Sequence, residues 1–192
     1  MTLTESREPL TLRSPDDAPR TVGPHLSECV RSIAIRTGLL KEDEDREDAE
    51  GELDPDGFSQ QAVVRMLVGK AWEDLLAKRL PHLIYHPGEA EKDGIYGTID
   101  LYCAVEGAVH EVKATWVSRR REIRDRWLWW AQLKGYMAML GCRVGYLHVL
   151  YLNGDYRGSG PFPVVFRAEF DERELGLNWE LMVKERRYLY GE

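Results

Sequence analysis

Two short apolar segments of the chain carry charged residues whose types are common in catalytic sites. Asp100 lies in the first segment, and Glu111 and Lys113 lie two residues apart in the second. If both segments are strands, side chains two residues apart project from the same face, so Glu111 and Lys113 share one. A turn at Glu106-Gly107 predicts a hairpin that brings Asp100 beside them.

Carboxylates gathered on one sheet face predict a site for a divalent cation. Burying like charges without a partner costs free energy, and a bound cation removes that cost. Magnesium binds carboxylate oxygens, backbone carbonyls and water, so Asp100, Glu111 and the carbonyl of Val112 are candidate ligands. Lys113 adds a positive charge that could orient or deprotonate a water, or stabilise charge on a phosphate. The alternative is an exposed hairpin with an ordinary surface ion pair, and these residues alone favour neither.

Length and composition are those of a globular chain. The 192 residues, 43% of them hydrophobic, suffice for one domain with a substantial core. No segment approaches the roughly 20 apolar residues of a membrane span, so we expect no membrane association. The first residues lack the apolar stretch of a secretory signal. Three scattered cysteines (Cys29, Cys103 and Cys142) show no zinc or iron–sulfur spacing, which favours a reducing cytoplasm.

The net charge of −7 is concentrated in one segment. Residues 41–56 contain ten acidic residues against two basic ones, so this segment carries −8 and the rest of the chain +1. Such a run is typical of a solvated loop, and a self-shielding mimic of DNA is the alternative. The acidity therefore does not exclude a nucleic-acid-binding function. We predict a flexible tail at 1–24 and a single domain at 25–192 that contains this acidic loop.

Hydrophobic periodicity predicts the helices that must position the charged residues. Apolar residues at helical spacing cover His25–Leu40 and, more strongly, Gln60–Leu80, which ends at a proline. A long helix is predicted at Arg119–Leu140, and a last helix begins after the cap Asp171 and continues through Tyr188.

The predicted strands lie between these helices. They cover residues 82–86, 96–104, 108–115, 143–152 and 163–170. The last two are separated by a Gly-rich turn and are expected to form a hairpin. The order of elements predicts an α/β fold with a central mixed sheet flanked by helices.

Residues on two predicted helices are candidates to join the hairpin site. Glu73 precedes the sheet on its helix and could add a third carboxylate; the alternative is an ordinary exposed helix residue. Gln132 and Tyr136 are four residues apart on the helix that follows Glu111, so they share a face. That face lies either over the hairpin or with the tyrosine ring in the core and the glutamine in solvent.

The start of the same helix is basic and aromatic. Its five arginines are Arg119, Arg120, Arg121, Arg124 and Arg126. Trp127, Trp129 and Trp130 follow directly. Basic residues interleaved with aromatic ones suit phosphate contacts and base stacking. The alternative is a solvated basic face beside a tryptophan core stripe, and for the tryptophans we favour the core.

Taken together, these residues resemble the RecB-like branch of the PD-(D/E)xK nuclease superfamily. Four motifs occur in the order found there: G-x-x-x-E (Gly69, Glu73), G-x-x-D (Gly97, Asp100), E-x-K (Glu111, Lys113) and Q-x-x-x-Y (Gln132, Tyr136). The resemblance covers roughly residues 60–190. Lambda-type exonucleases and CRISPR-associated adaptation nucleases are relatives of this branch.

The resemblance implies a restriction-endonuclease-like fold and cleavage of DNA phosphodiesters that depends on Mg²⁺, or on Mn²⁺ in its place. It implies metal ligands at Glu73, Asp100, Glu111 and the Val112 carbonyl, and a catalytic role for Lys113. It places Gln132 and Tyr136 beside the metals and the DNA backbone. Two features depart from the family: many members carry a histidine where this chain has Glu73, and the four cysteines of the iron–sulfur members are not matched, so no cluster is expected.

We therefore expect a metal-dependent DNA nuclease, with exonuclease mode favoured, that acts in DNA recombination, repair or processing. DNA is the expected partner, and recombination or replication proteins are candidates. One alternative keeps the fold and changes the substrate to RNA or branched DNA. Another is a non-catalytic nucleic-acid-binding or assembly module, against which the complete Asp100, Glu111 and Lys113 set argues.

Overall fold

The computed structural model describes residues 23–40, 60–120, 122–155 and 160–191. In these ranges the helices are α1 (Leu26–Arg36), α2 (Gln60–Arg79), α3 (Trp127–Leu140) and α4 (Glu172–Tyr190), with a short 3-10 helix at Ile123–Asp125. The strands are β1 (Ile84–Tyr85), β2 (Glu89–Lys92), β3 (Ile95–Thr98), β4 (Leu101–Cys103), β5 (Ala108–Thr115), β6 (Val144–Tyr151) and β7 (Phe162–Glu169). The predicted tail up to residue 22, the acidic loop and Arg121 lie outside the described residues.

The main sheet has five strands in the order β1-β4-β5-β6-β7. It is mixed, because β5 and β6 are parallel while the other neighbours are antiparallel. Helix α3 connects β5 to β6, as a parallel pair requires a long crossover. Strands β2 and β3 form a separate small antiparallel sheet. This confirms the predicted α/β class with a central mixed sheet flanked by helices, and it is consistent with a restriction-endonuclease-like fold.

Strand β5 is buried on both faces, and its alternating side chains enter two different cores. Val109 packs with residues of α1, α3 and α4, among them Leu26, Leu133 and Met182. Ala108 and Val112 pack on the other face, against residues of α2. Side chains of odd and even number on β5 therefore reach opposite layers of the protein.

Two predicted elements have different limits in the structure. The strand expected at 96–104 divides into β3 and β4, which belong to different sheets. The division falls at Asp100, whose side chain accepts a hydrogen bond from the backbone of Val112 and whose carbonyl accepts one from His86. The polar strand β2 (Glu-Ala-Glu-Lys) shows no apolar alternation and was not predicted.

In the structure the α-helix predicted at Arg119–Leu140 begins only at Trp127, so the predicted start was wrong; a short 3-10 helix at Ile123–Asp125 precedes it. The backbone N–H of Arg119 donates to the carbonyl of Gly154, and that of Arg120 donates to Ser118 Oγ. These contacts hold the segment as a loop against the β6–β7 connection. The predicted helix His25–Leu40 likewise ends earlier, at Arg36.

Candidate active site

The β4–β5 hairpin brings Asp100 to the middle of β5. Leu101 pairs with His110 and Cys103 with Ala108, so the register continues with Asp100 beside Glu111. Asp100 Oδ2 accepts the backbone N–H of Val112 at 2.8 Å. This bond fixes the aspartate against the strand that carries Glu111. The hairpin expected from the sequence therefore exists, with the aspartate at its open end.

A chain of hydrogen bonds leads from Glu111 to helix α3. Lys113 Nζ donates to Glu111 Oε1 and also to Gln132 Oε1, the latter at 3.0 Å. Gln132 Nε2 in turn donates to Tyr136 Oη at 3.0 Å. Tyr136 is only 4% exposed, so it is a core residue and also holds the glutamine over the hairpin. The motif residues of β5 and α3 are thus one connected group.

Glu111 itself is 1% exposed, and only one of its two carboxylate oxygens has a hydrogen-bond partner in the described chain. Its Oε1 accepts from Lys113, whereas Oε2 is buried and has no hydrogen-bond partner among the described residues. Buried polar atoms are paired in the great majority of cases, so an unpaired carboxylate oxygen calls for an explanation.

Burial raises the pKa of all three acids of this region, and the charge of Asp100 raises that of Glu111 and Glu73 further. Burial, followed by the charge of Asp100, raises the pKa of Glu111 to about 8. Burial and then Asp100 raise the pKa of Glu73 to about 7. Burial also raises the pKa of Asp100. Burial lowers the pKa of Lys113, but the charges of Glu111 and Asp100 outweigh this and leave it raised. Three acids and one lysine therefore share a partly desolvated space that favours an additional cation.

Glu73 belongs to this group and is not an ordinary exposed helix residue. Its side chain is 21% exposed, and its Oε2 lies 3.3 Å from His86 Nε2. His86 follows β1, and its backbone N–H donates to the carbonyl of Asp100. No sequence motif contains His86, and its contacts depend on the approach of α2 to β1, so the sequence alone carries no signal for it.

The donor set fits a magnesium ion better than a tightly liganded transition metal. Within residues 23–40, 60–120, 122–155 and 160–191, no three His, Cys, Asp or Glu side chains form a ready-made metal-binding group. Magnesium commonly needs only one or two carboxylates, with waters and substrate phosphates completing its shell. Asp100 and Glu111, with the unpaired Oε2, supply such a pair, and Val112, whose carbonyl is the third candidate ligand, directly follows Glu111 in the sequence. Glu73 adjoins this pair as a third acid.

The arginines lie mostly in the loop before α3. Arg119, Arg120 and Arg124 are exposed, and Arg121 is outside the described residues. The guanidinium of Arg119 lies 4.2 Å from the centre of the Phe162 ring, and Arg120 Nη2 is 3.5 Å from Asp155.

Arg126 and the tryptophans contribute to packing. Arg126 Nη2 is buried without a hydrogen-bond partner in the described part of the chain. Trp127, Trp129 and Trp130 pack against the larger core, and Trp130 Nε1 donates to the carbonyl of Ile123 at 2.8 Å. The core interpretation of the tryptophans is therefore confirmed.

The structure also shows the state of the three cysteines and the character of the described helices. The cysteines Cys29, Cys103 and Cys142 are buried and form no disulfide in the described residues. None of the described helices combines the length and apolar composition that a membrane span requires.

Comparison with solved structures finds similar chains at low sequence identity. A phage-related exonuclease from Haemophilus somnus 129PT has a TM-score of 0.50 and 12% identity, over 85% of this chain and 80% of that one. LHK-Exo, solved in complex with dAMP, has a TM-score of 0.48 and 14% identity, over 88% of each chain. No protein-family model and no curated protein sequence matches this chain. The likeness to the Haemophilus exonuclease shows a shared fold.

Proposed function

We propose that this protein is a metal-dependent nuclease that hydrolyses phosphodiester bonds of DNA. One observation carries the proposal: Glu111 is buried beside Asp100, with one oxygen held by Lys113 and the other unpaired among the described residues. Burying such acids together costs free energy, and Lys113 pairs with only one of the two carboxylate oxygens of Glu111. A divalent cation would complete the group by binding the carboxylate oxygens, and a substrate phosphate would bind the cation and Lys113.

Asp100, Glu111 and the carbonyl of Val112 are the proposed ligands for Mg²⁺ or Mn²⁺, with Glu73 adjoining. When bound, such an ion supplies Lewis acidity toward a phosphate oxygen and lowers the pKa of a coordinated water. Mn²⁺ accepts the same oxygen ligands and is expected to substitute.

Lys113 acts in this proposal as a positively charged donor. The charges of Glu111 and Asp100 outweigh the effect of burial and raise its pKa. It suits orienting the attacking water and stabilising negative charge on the phosphate. Gln132 holds the ammonium at 3.0 Å, and Tyr136 holds Gln132, so the donor is fixed before substrate arrives. Attack of the water oxygen on phosphorus would form one phosphorus–oxygen bond and break the one on the opposite side. The water would release its proton to solvent, and the leaving oxygen would take up a proton from solvent.

The basic loop before α3 supplies the proposed DNA contacts. Arg119, Arg120 and Arg124 are exposed in the segment that follows β5, the strand of Glu111 and Lys113. Guanidinium groups suit phosphate contacts, and along the chain this loop connects Glu111 and Lys113 to Gln132. The fold shared with a phage-related exonuclease favours exonuclease mode. Roles in DNA recombination, repair or processing, with recombination or replication proteins as partners, belong to the same proposal.

The test is a cleavage assay on linear and circular duplex DNA, single-stranded DNA and RNA, each with Mg²⁺ and with EDTA. We expect cleavage of linear DNA in Mg²⁺, no cleavage in EDTA, and resistance of closed circular DNA. Cleavage of the circle would replace exonuclease mode by endonuclease mode. If the folded protein cuts no nucleic acid with Mg²⁺ or Mn²⁺, the nuclease proposal fails and the non-catalytic module takes its place.

A further inference from the structure

His86 lies beside the proposed site and outside all four sequence motifs. Its Nε2 is 3.3 Å from Glu73 Oε2, and its backbone N–H donates to the Asp100 carbonyl at 2.9 Å. Its ring stacks on that of Tyr85, with centroids 3.9 Å apart. One residue thus contacts both Glu73 on α2 and Asp100 before β4. Its side chain remains 43% exposed, so packing alone does not explain its position.

The backbone of His86 is strained. Its φ of 44° lies in the left-handed region, which residues with a Cβ adopt rarely and at a cost. Among the non-glycine residues that the structure describes, Asp93 also has a positive φ, and Asp93 occupies the tight turn between β2 and β3. His86 does not join two paired strands. Strain of this kind persists where surrounding contacts determine it, and here those contacts are with Glu73, Asp100 and Tyr85.

Each acid of the site has one carboxylate oxygen in contact with a nitrogen of another residue. Asp100 is held by the N–H of Val112, and Glu111 by Lys113. The corresponding contact of Glu73 is with the imidazole of His86. A glutamate on a helix has several rotamers, so without a partner its carboxylate would sample orientations away from the other acids.

We infer that His86 is a positioning residue for Glu73, and this inference rests on the proposed function. The imidazole donates its Nε2–H to Glu73 Oε2 and so directs the carboxylate toward Asp100 and Lys113. Groups that orient the ligands of a metal site contribute to metal affinity without touching the ion. His86 therefore raises the affinity of the site for a divalent cation by holding its third acid in place.

Tyr85, the last residue of β1 and the neighbour of His86, provides a matched control. Its hydroxyl donates to Asp74 Oδ1 at 2.5 Å. The consecutive residues Tyr85 and His86 thus contact the consecutive acids Asp74 and Glu73 of α2. Tyr85→Phe and His86→Phe each remove one hydrogen bond between the same two elements and keep an aromatic ring. They differ in which acid loses its partner. His86→Gln keeps an N–H donor at the position of Nε2 and tests for rescue.

The experiment measures Mn²⁺ binding by electron paramagnetic resonance with the full chain at pH 8, without nucleic acid. We expect His86→Phe to weaken Mn²⁺ binding by ~10-fold or more, and His86→Gln and Tyr85→Phe to stay within ~3-fold of the wild type. Circular dichroism of every variant reports folding. If His86→Phe does not fold, His86→Gly replaces it, because glycine lacks the donor and accepts a positive φ.

Equal Mn²⁺ affinity of His86→Phe and Tyr85→Phe would overturn the inference while the proposed function stands. So would an equal loss in His86→Gln and His86→Phe, because the donor would then be irrelevant. If the wild-type protein binds no Mn²⁺, the metal site fails together with this inference. A wild-type protein that binds Mn²⁺ and cuts no nucleic acid would contradict the nuclease proposal and leave the role of His86 intact.

Discussion

Two glutamates of this protein are equally buried, and their surroundings are opposite in kind. Glu185 on α4 and Glu111 on β5 are each 1% exposed. Both oxygens of Glu185 have partners: Ser32 Oγ donates to Oε1 at 2.6 Å, and Arg36 Nη2 lies 3.3 Å from Oε2. Glu111 has Lys113 on Oε1 and, within the described chain, no partner on Oε2.

This difference separates a structural acid from a candidate catalytic one. Glu185 joins α4 to α1, and a buried carboxylate with that role needs all its oxygens satisfied because each unpaired atom costs free energy. Around Glu111, two further acids, Asp100 and Glu73, raise its pKa. Both carboxylate oxygens of the buried glutamate have partners at the α1–α4 interface, whereas at the hairpin one of them has none in the described chain. Departures of this kind are expected where function, rather than folding, selects the residues.

The largest expected effect is on turnover, and it concerns Lys113. Lys113→Ala should lower the single-turnover cleavage rate by at least ~10²-fold at saturating Mg²⁺, because a positioned donor is lost. Lys134→Ala on α3 is the control, since Lys134 pairs with the exposed Glu174 at 2.6 Å and should matter little. If the two variants cut DNA equally fast, Lys113 does not take part in the reaction.

The two buried glutamates should respond to the same substitution with opposite signs. In EDTA at pH 8, Glu111→Gln should raise the free energy of unfolding by about 1–3 kcal/mol, because it removes a charge that burial disfavours. Glu185→Gln should lower it by about 1–3 kcal/mol, because it weakens the contacts with Arg36 and Ser32. Urea denaturation measures both. Destabilisation by Glu111→Gln comparable to that of Glu185→Gln would remove the distinction between them.

The pH dependence of stability sharpens the same contrast. Glu111 has a pKa of 4.5 as a model group and about 8 in the folded protein, so the native state retains a proton that the unfolded chain releases. Its stabilising contribution is present below pH 4.5 and is lost as the pH rises through about 8. We therefore expect the free energy of unfolding without metal to fall between pH 6.5 and 8.5, and to fall less in Glu111→Gln. A flat wild-type profile would contradict the raised pKa.

The window starts at pH 6.5 because of a second buried pair. His110 Nδ1 and His148 Nε2 are 2.9 Å apart, and burial lowers the pKa of each ring from 6.5 to about 4. Protonation of the unfolded chain therefore costs stability as the pH falls from 6.5 toward 4, the reverse of the Glu111 effect. Measurements above pH 6.5 isolate the carboxylates.

A smaller effect is expected from the basic loop. Replacing Arg119 and Arg124 together by alanine should reduce the salt dependence of DNA binding by about 1–2 units of slope, roughly one per lost phosphate contact. The charge-matched control replaces Arg143 and Arg167, which are exposed and pair with acidic neighbours away from this loop. If both double variants change the slope equally, the loop has no specific role in DNA contact.

The sequence predicted the parts of the fold that depend on local pattern. Strands β5 and β6 are rich in apolar and β-branched residues, and α2 and α4 show helical spacing, so these elements were found. The start of α3 was misplaced because Arg119 and Arg120 are held by bonds to Gly154 and Ser118, and such contacts leave no local pattern.

The candidate site was predicted in part for the same reason. Spacing within a strand placed Glu111 beside Lys113, and the hairpin placed Asp100 beside both. The contact of His86 with Glu73 depends on how α2 approaches β1. The positive φ of His86 leaves no recognisable pattern in the residues around it in the sequence. Long-range contacts of this kind become visible only in the folded chain.

The most direct test of the account is the location of a bound metal ion. A crystal of the wild-type protein grown with Mn²⁺ should give an anomalous peak within ~2.0–2.6 Å of carboxylate oxygens of both Asp100 and Glu111, Oε2 of Glu111 included. A peak at this position in the wild type and its loss in Glu111→Gln, with Glu185→Gln unchanged, is the predicted result. Ordered Mn²⁺ found only elsewhere, or none at saturating concentration, would contradict the claim that the unpaired oxygen of Glu111 serves a metal.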